Sequence, residues 1–404
     1  MIHQPPAGAR DLLPLEVAQK AWINDNLQRV FRRWGYQRIV TSTLEWLDTL
    51  TAGGAIDGSQ VVQVQTVASQ SLGLRPELTA SIARAAVTRM AENTFPQRLC
   101  YRANVFRHPP DGTHGKQMEF YQAGVELLFA DGIIADAEIL LLLTDSLNEL
   151  GLEDWQLILG EAALGRSLLQ SFPADIRETV RHCIAHLDRV RLQSLELSDE
   201  LKAYALDIFE LRGEPMGVLE RVSKFELTPD AQKIVANLKA LFELLTGSTD
   251  KPLPILLDLT LIQTFDYYTG IVFEAVSFTN NQSRVLGQGG RYDKLLGLYH
   301  PQKEDHPGIG FCLNLEEIHN CLLQSPQLPN KLDGNAWLVI AKDSAAQQQV
   351  FQYAQTLRQG DEIVRVEVEL GGRSPEDIYD YAKRSKIANL AWVSSSDDPK
   401  IETL

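Results

Sequence analysis

Between residues 14 and 34 the apolar positions Ile23, Leu27, Val30, Phe31 and Trp34 recur at helical spacing, which predicts an amphipathic helix. Pro14 suits its first turn, where a missing N–H costs little, and Gly35 suits the residue past its end. Tyr36 to Leu44 reads as extended, and residues about 60–74 read as a Gln-rich hairpin. The Ala-rich stretch 79–92 reads as a helix with Thr79 as its cap. Runs at about 99–107 and 117–128 read as strands around the turn-forming Pro109-Pro110-Asp111-Gly112, and a helix follows over about 134–150. From about 165 to 250 the pattern is mostly helical, with breaks at Pro173, Gly213-Glu214-Pro215 and Pro229. Strands return at about 255–262, 266–278 and 283–288, with Asn280-Asn281 as a hairpin turn. Pro326 to Gly334 reads as a linker. Beyond it, strand 336–341, helix 344–358, strand 363–369, helix 375–384 and strand 388–394 alternate as a small α/β unit.

Composition narrows the class. A chain of 404 residues with 44% hydrophobic content supports two or three domains with real cores. It holds no apolar run of membrane-spanning length, and Met1-Ile2-His3-Gln4-Pro5-Pro6 lacks the pattern of a secretory signal. Cys100, Cys183, Cys312 and Cys321 are scattered without CxxC spacing, so they read as reduced thiols in a cytoplasm. The net charge of −15 repels phosphate backbones and argues against a nucleic-acid partner.

Candidate chemistry is concentrated in two strands. Gln263-Thr264-Phe265-Asp266-Tyr267-Tyr268-Thr269-Gly270 reads as a polar, aromatic-rich wall of a small-molecule pocket. Along Phe120 to Glu126, the alternation of side chains puts Gln122, Gly124 and Glu126 on one face. Gly124 leaves space between two polar groups as a pocket floor, and Glu126 can accept a proton from an imidazole N–H. Other features read as structure. His182 and His186 have metal-ligand spacing but no glutamate between them, which favours a packed pair over a metal site. Gly287-Gln288-Gly289-Gly290 reads as a tight turn. Lys383, Arg384 and Lys386 read as a solvated helix end. No cofactor is implied, since phosphate-cradling and phosphoribosyl-binding loops are absent.

Six motifs follow one another in the order of one family. They are Gly8-Ala9-Arg10-Asp11-Leu12-Leu13-Pro14, Gly35-Tyr36 through Leu44-Glu45, Leu74-Arg75-Pro76-Glu77-Leu78-Thr79-Ala80, Val105-Phe106-Arg107-His108, Gly289-Gly290-Arg291-Tyr292-Asp293, and Gly308-Ile309-Gly310-Phe311 with Leu315-Glu316-Glu317. With the Gln263–Gly270 run, the chain resembles class II aminoacyl-tRNA synthetases of the histidyl type over nearly its whole length. The resemblance implies an α+β fold: an antiparallel sheet flanked by helices over 1–325, a helical insert at about 165–250, and a shortened anticodon-binding-like domain over 335–404. It also implies that Glu77, Thr79, Arg107, Gln122, Glu126, Tyr268 and Tyr292 contact histidine.

The departures fall on the ATP chemistry. The family's catalytic arginine is Gln263, its adenine-contacting glutamate is Pro109 and its motif 3 arginine is Glu317, while in the dimer-forming motif 1 the expected proline is Ser42. A neutral amide cannot stabilise charge developing on a reacting phosphate. A carboxylate near a phosphate costs about 4 kcal/mol at a separation of about 4 Å and an effective dielectric of about 20. A histidine-binding, non-catalytic relative of this kind resembles the regulatory-subunit family of ATP phosphoribosyltransferases. That resemblance implies a hetero-oligomer of self-dimers with a separate short-form catalytic subunit, L-histidine as feedback ligand, and no tRNA or membrane partner. A histidyl-tRNA synthetase with an unusual site, and a histidine or tRNA sensor acting on another partner, are the alternatives.

Overall fold

The computed structural model describes residue 3 and residues 5–54, 56–65, 71–108, 117–261, 268–279, 282–332, 336–359 and 364–404. Its contacts group into two units, residues 1–12 with 19–328 and residues 13–18 with 329–404. No described helix is long and apolar enough to cross a membrane.

The expected amphipathic helix is α1 (Pro14–Arg33), which belongs to the first unit from Gln19 onward, and Gly35 takes a φ of +83°, the left-handed conformation that glycine adopts without strain. Its Ile23, Leu27, Val30 and Phe31 are fully buried in the main core. Of the extended run after it, only β1 (Gln37–Arg38) and β2 (Leu44–Trp46) pair as strands. A short helix α2 (Leu47–Thr51) precedes β3 (Gln63–Val64) and β4 (Leu72–Leu74), which pair antiparallel as the hairpin pattern predicts. Then come α3 (Thr79–Thr88), β5 (Gln97–Phe106), β6 (Glu119–Leu128) and α4 (Ile133–Glu149). The turn around Pro109-Pro110-Asp111-Gly112 lies outside the described residues.

Next is a strand that the pattern did not reveal, β7 (Trp155–Glu161). A short apolar run beside a helix gives no periodicity of its own. Yet β7 bridges two elements of the sheet: it pairs antiparallel with β10 (Ile271–Thr279) and parallel with β9 (Ile255–Asp258). The helical stretch resolves into α5 (Ala162–Leu169), α6 (Ala174–Ala185), α7 (Arg189–Ser194), α8 (Asp199–Phe209), α9 (Pro215–Val222) and α10 (Pro229–Gly247), with β8 (Arg212–Gly213) between α8 and α9. Pro215 and Pro229 open helices here, behind side-chain caps from Glu214 and Thr228. The unit closes with β11 (Gln282–Arg291), α11 (Leu295–Tyr299), β12 (Gly308–Asn314) and α12 (Leu315–Leu322). Asn280 and Asn281 lie outside the described residues.

Of the twelve described strands of this unit, β2, β4 and β3 form a small sheet in that order, and the other nine form one sheet in the order β1-β5-β6-β12-β11-β10-β7-β9-β8. All neighbours are antiparallel except β1–β5 and β7–β9. The run Gly287-Gln288-Gly289-Gly290 is not the expected tight turn but lies within β11, in its C-terminal half. A Cβ on Gly289 would lie 2.3 Å from the Gly310 carbonyl, and one on Gly290 would lie 2.7 Å from the Ile271 carbonyl and the Tyr268 ring. These glycines let neighbouring backbone and rings close in on β11.

The second unit is built on a sheet of order β14-β13-β15-β16, where β13 is Ala336–Ala341, β14 Arg365–Val368, β15 Asn389–Val393 and β16 Lys400–Thr403. The first three strands are parallel, and β16, which the pattern did not reveal, runs antiparallel. α13 (Gln347–Arg358) supplies Val350 and Ala354 against Val339 and Ala391, and α14 (Pro375–Arg384) supplies Ile378 and Ala382 against Leu338, Ile340 and Leu390. Since alternate strand residues face opposite sides, the two helices cover the two faces of this sheet. A capping box between Ser374 and Asp377 starts α14, and Lys383, Arg384 and Lys386 are exposed at its end.

Candidate functional site

Glu77, Thr79, Arg107, Gln122, Glu126, Tyr268 and Tyr292 all line one partly open recess of about 480 Å³. They come from the entry and first turn of α3, the end of β5, the middle of β6, the approach to β10 and the exit of β11. Gln122 and Glu126 share a face of β6, as strand alternation requires, and are 7% and 1% exposed.

Glu126 is the hub. Its Oε1 accepts a hydrogen bond from the Thr79 hydroxyl at 2.8 Å, and its Oε2 accepts one from the Tyr292 phenol. Gly310 on β12 makes room for it, because a Cβ there would lie 2.0 Å from Oε2. Burial pushes the Glu126 carboxyl from 4.5 up to about 8, against the lowering effect of those two hydroxyl donors. Glu77 is likewise raised by burial, while the backbone N–H groups of Ala80 and Thr79 and the Arg107 charge pull it down. Arg107 spends one nitrogen on the Pro76 carbonyl at 2.9 Å. Its Nε is buried without a hydrogen-bond partner among the described residues.

Two details of the sequence reading change. Thr79 is not the cap of α3: Leu78 holds that position without a side-chain bond, and Glu77 accepts from the Ala80 N–H at 3.0 Å instead. The Thr79 hydroxyl is thereby free to reach across to β6. The space beside Gly124 is not open floor either. The buried Tyr101 phenol fills it, 2.6 Å from where a Cβ would stand.

Several wall residues were not anticipated: Ile56, Gln288, Gly289, Gly310, Phe311 and Cys312. Stepping back along β11 by the strand period from Tyr292 reaches Gln288, so that signal was present. Cys312 had none. Its Sγ accepts from Gln122 Nε2 at 3.7 Å, and burial pushes the thiol up to about 12, which keeps it protonated.

Gln263 and Pro109 lie outside the described residues. Glu317 stands in the first turn of α12, is not part of the recess, and has its charge matched by Arg284 at 2.7 Å. Neighbouring Glu316 takes Arg10 at 3.0 Å and the buried Lys20. His182 and His186 stack with ring centroids 4.0 Å apart, and His186 Nδ1 sits 2.9 Å from the His182 carbonyl, the geometry of a packed pair. All four cysteines are free thiols.

The recess combines a buried and a half-buried carboxyl group, an arginine, two amides and two phenols. Such a set suits a small zwitterion with a further polar group that can hold a proton.

Comparison with known proteins places the family and the fold. The histidyl-tRNA synthetase family matches residues 8–318. A Picosynechococcus protein named ATP phosphoribosyltransferase regulatory subunit is 79% identical over the full length of both chains. A Bacillus halodurans crystal structure, described as an ATP phosphoribosyltransferase regulatory subunit/histidyl-tRNA synthetase, superposes with a TM-score of 0.84 at 26% identity, covering 98% of this chain and 100% of that one. The histidyl-tRNA synthetase of Nostoc, at 18% identity and a TM-score of 0.78 over 99% of this chain and 94% of that one, shares the fold. The chain therefore belongs to the ATP phosphoribosyltransferase regulatory subunit family, built on the class II fold of the histidyl-tRNA synthetases.

Proposed function

We propose that this chain is a non-catalytic partner in the first step of histidine biosynthesis, and that it senses L-histidine in the Glu126 recess. It assembles, as a self-dimer within a hetero-oligomer, with a short-form catalytic subunit. That subunit condenses ATP with phosphoribosyl pyrophosphate. The regulatory chain is needed both for its activity and for feedback inhibition.

The convergence of Glu77, Thr79, Arg107, Gln122, Glu126, Tyr268 and Tyr292 on one recess carries the ligand assignment. Glu126, held by Thr79 and Tyr292, is the partner for the imidazole, and its proton can be shared with the ring. Arg107 brings a positive charge to the recess for the α-carboxylate, and Glu77 and Gln122 have acceptors for the ammonium group. Synthetase chemistry is absent in this reading, because Gln263 and Glu317 stand where the family places cations and Pro109 replaces an adenine contact. Histidine then regulates by linkage. If it favours one arrangement of the complex, it shifts that equilibrium by the difference in its affinities, typically by about 1–3 kcal/mol.

The test is phosphoribosyl-ATP formation by the same organism's short-form catalytic subunit, assayed alone, with this chain, and with this chain plus histidine. Activation that histidine reverses is the expected result. No change in rate, together with failure of the two proteins to co-elute, would overturn the assignment. ATP–pyrophosphate exchange driven by histidine would point to an active synthetase instead.

A further inference from the structure

We infer that His300, Glu304 and His306 form a binding site for a divalent transition metal of the zinc class, separate from the histidine recess and independent of that reading. Among the described residues, this is the grouping of three side chains whose ligating atoms all lie within 4.8 Å of one another. The three sit on the loop that joins α11 to β12. His300 caps the end of α11, its carbonyl accepts from the Lys303 N–H at 2.9 Å, and Lys303 takes a φ of 57°. That turn returns Glu304 and His306 onto His300. The two rings meet edge to face with centroids 5.2 Å apart, and Glu304 Oε2 lies 3.9 Å from His306 Nε2.

Two imidazoles and a carboxylate, with water in the fourth position, are a zinc donor set. Imidazole donors favour zinc, copper or nickel, whereas magnesium prefers a shell of oxygens. Ligand atoms about 2.1 Å from a shared tetrahedral ion stand about 3.4 Å from one another. The ligating atoms already lie within 4.8 Å of one another, and Glu304, the most exposed of the three, has the freest side chain to close the remainder. His300 Nδ1 gives up little on binding, since its contacts to the Gln302 and Glu304 amides are long, at 3.3 and 3.4 Å. His306 is oriented from behind by Phe129, whose ring centroid lies 5.0 Å away. Such support limits the freedom that metal binding must remove.

The stacked pair His182 and His186 is the natural control, because it has ligand spacing but no third donor grouped with it among the described residues. Calorimetric titration of the full chain with zinc chloride is expected to give one Zn²⁺ per chain in the micromolar range. Affinity should fall at least tenfold in each of His300→Ala and His306→Ala and stay unchanged in His182→Ala. Zinc should also raise the thermal midpoint of the wild-type chain but not that of the His300→Ala variant. Absence of binding, or wild-type affinity in either of the first two variants, would overturn the site.

Discussion

At the scale of single residues, Glu126 concentrates the physics of the site. It is 1% exposed, holds two hydroxyl donors, and is raised by burial to about 8. The folded chain therefore keeps a proton there that the unfolded chain loses near 4.5. Stability falls wherever the folded state binds more protons than the unfolded state as pH rises. The Glu126 contribution is thus fully present below about 4.5 and is lost as pH climbs through about 8. Glu161, raised by burial to about 7, acts with the same sign over the lower part of that window. Glu126→Gln should flatten the decline of the thermal midpoint between these limits; an unchanged slope would show that the proton resides elsewhere. By calorimetry the same substitution should weaken L-histidine by about 10²-fold, close to 3 kcal/mol, because a buried charge-assisted partner is removed. Unaltered affinity would separate histidine from this recess.

At the scale of elements, the glycines of β11 and β12 are a packing requirement. A Cβ on Gly289 would meet the Gly310 carbonyl at 2.3 Å and the Phe273 ring at 2.7 Å, with backbone on one side that cannot move aside cheaply. Gly289→Ala should therefore destabilise by about 1–3 kcal/mol, the usual range for overpacking. Denaturant unfolding measures it, and a midpoint equal to wild type would mean that the two strands are less tightly apposed than described. The glycines were visible in the sequence, but their use was not. A glycine-rich run signals a turn as readily as a strand, and only pairing with β10 and β12 on either side settles it. β7 follows the same logic: seven residues show no distinguishing period, and their identity as a strand comes from neighbours more than 90 positions away in the chain.

At the scale of the whole molecule, charge decides the expected partner class. The chain carries 53 acidic against 38 Lys and Arg residues. Lys383, Arg384 and Lys386 cluster at the end of α14, too few to offset that field over an RNA-sized surface. Filter binding at about 150 mM salt should show no specific tRNA complex. Micromolar, salt-dependent binding to histidine tRNA would revive the sensor alternative.

The sequence by itself determined the periodic elements and the shared face of Gln122 and Glu126, which are written in local spacing, and the order of the family motifs, whose resemblance implied the other five wall residues. α1 with its glycine stop, the shared face of Gln122 and Glu126, and the small α/β unit are all set within a few turns or a few strand residues. Tertiary structure alone decided what those residues do to one another. Thr79 serves Glu126, 47 positions away, and Tyr292 reaches it across 166. Tyr101 occupies the space beside Gly124, Cys312 joins the wall, and Glu317 finds Arg284. Which face is apolar depends on neighbours along the chain. Desolvation and hydrogen-bond partnership depend on neighbours in space, and only the assembled sheet brings those together.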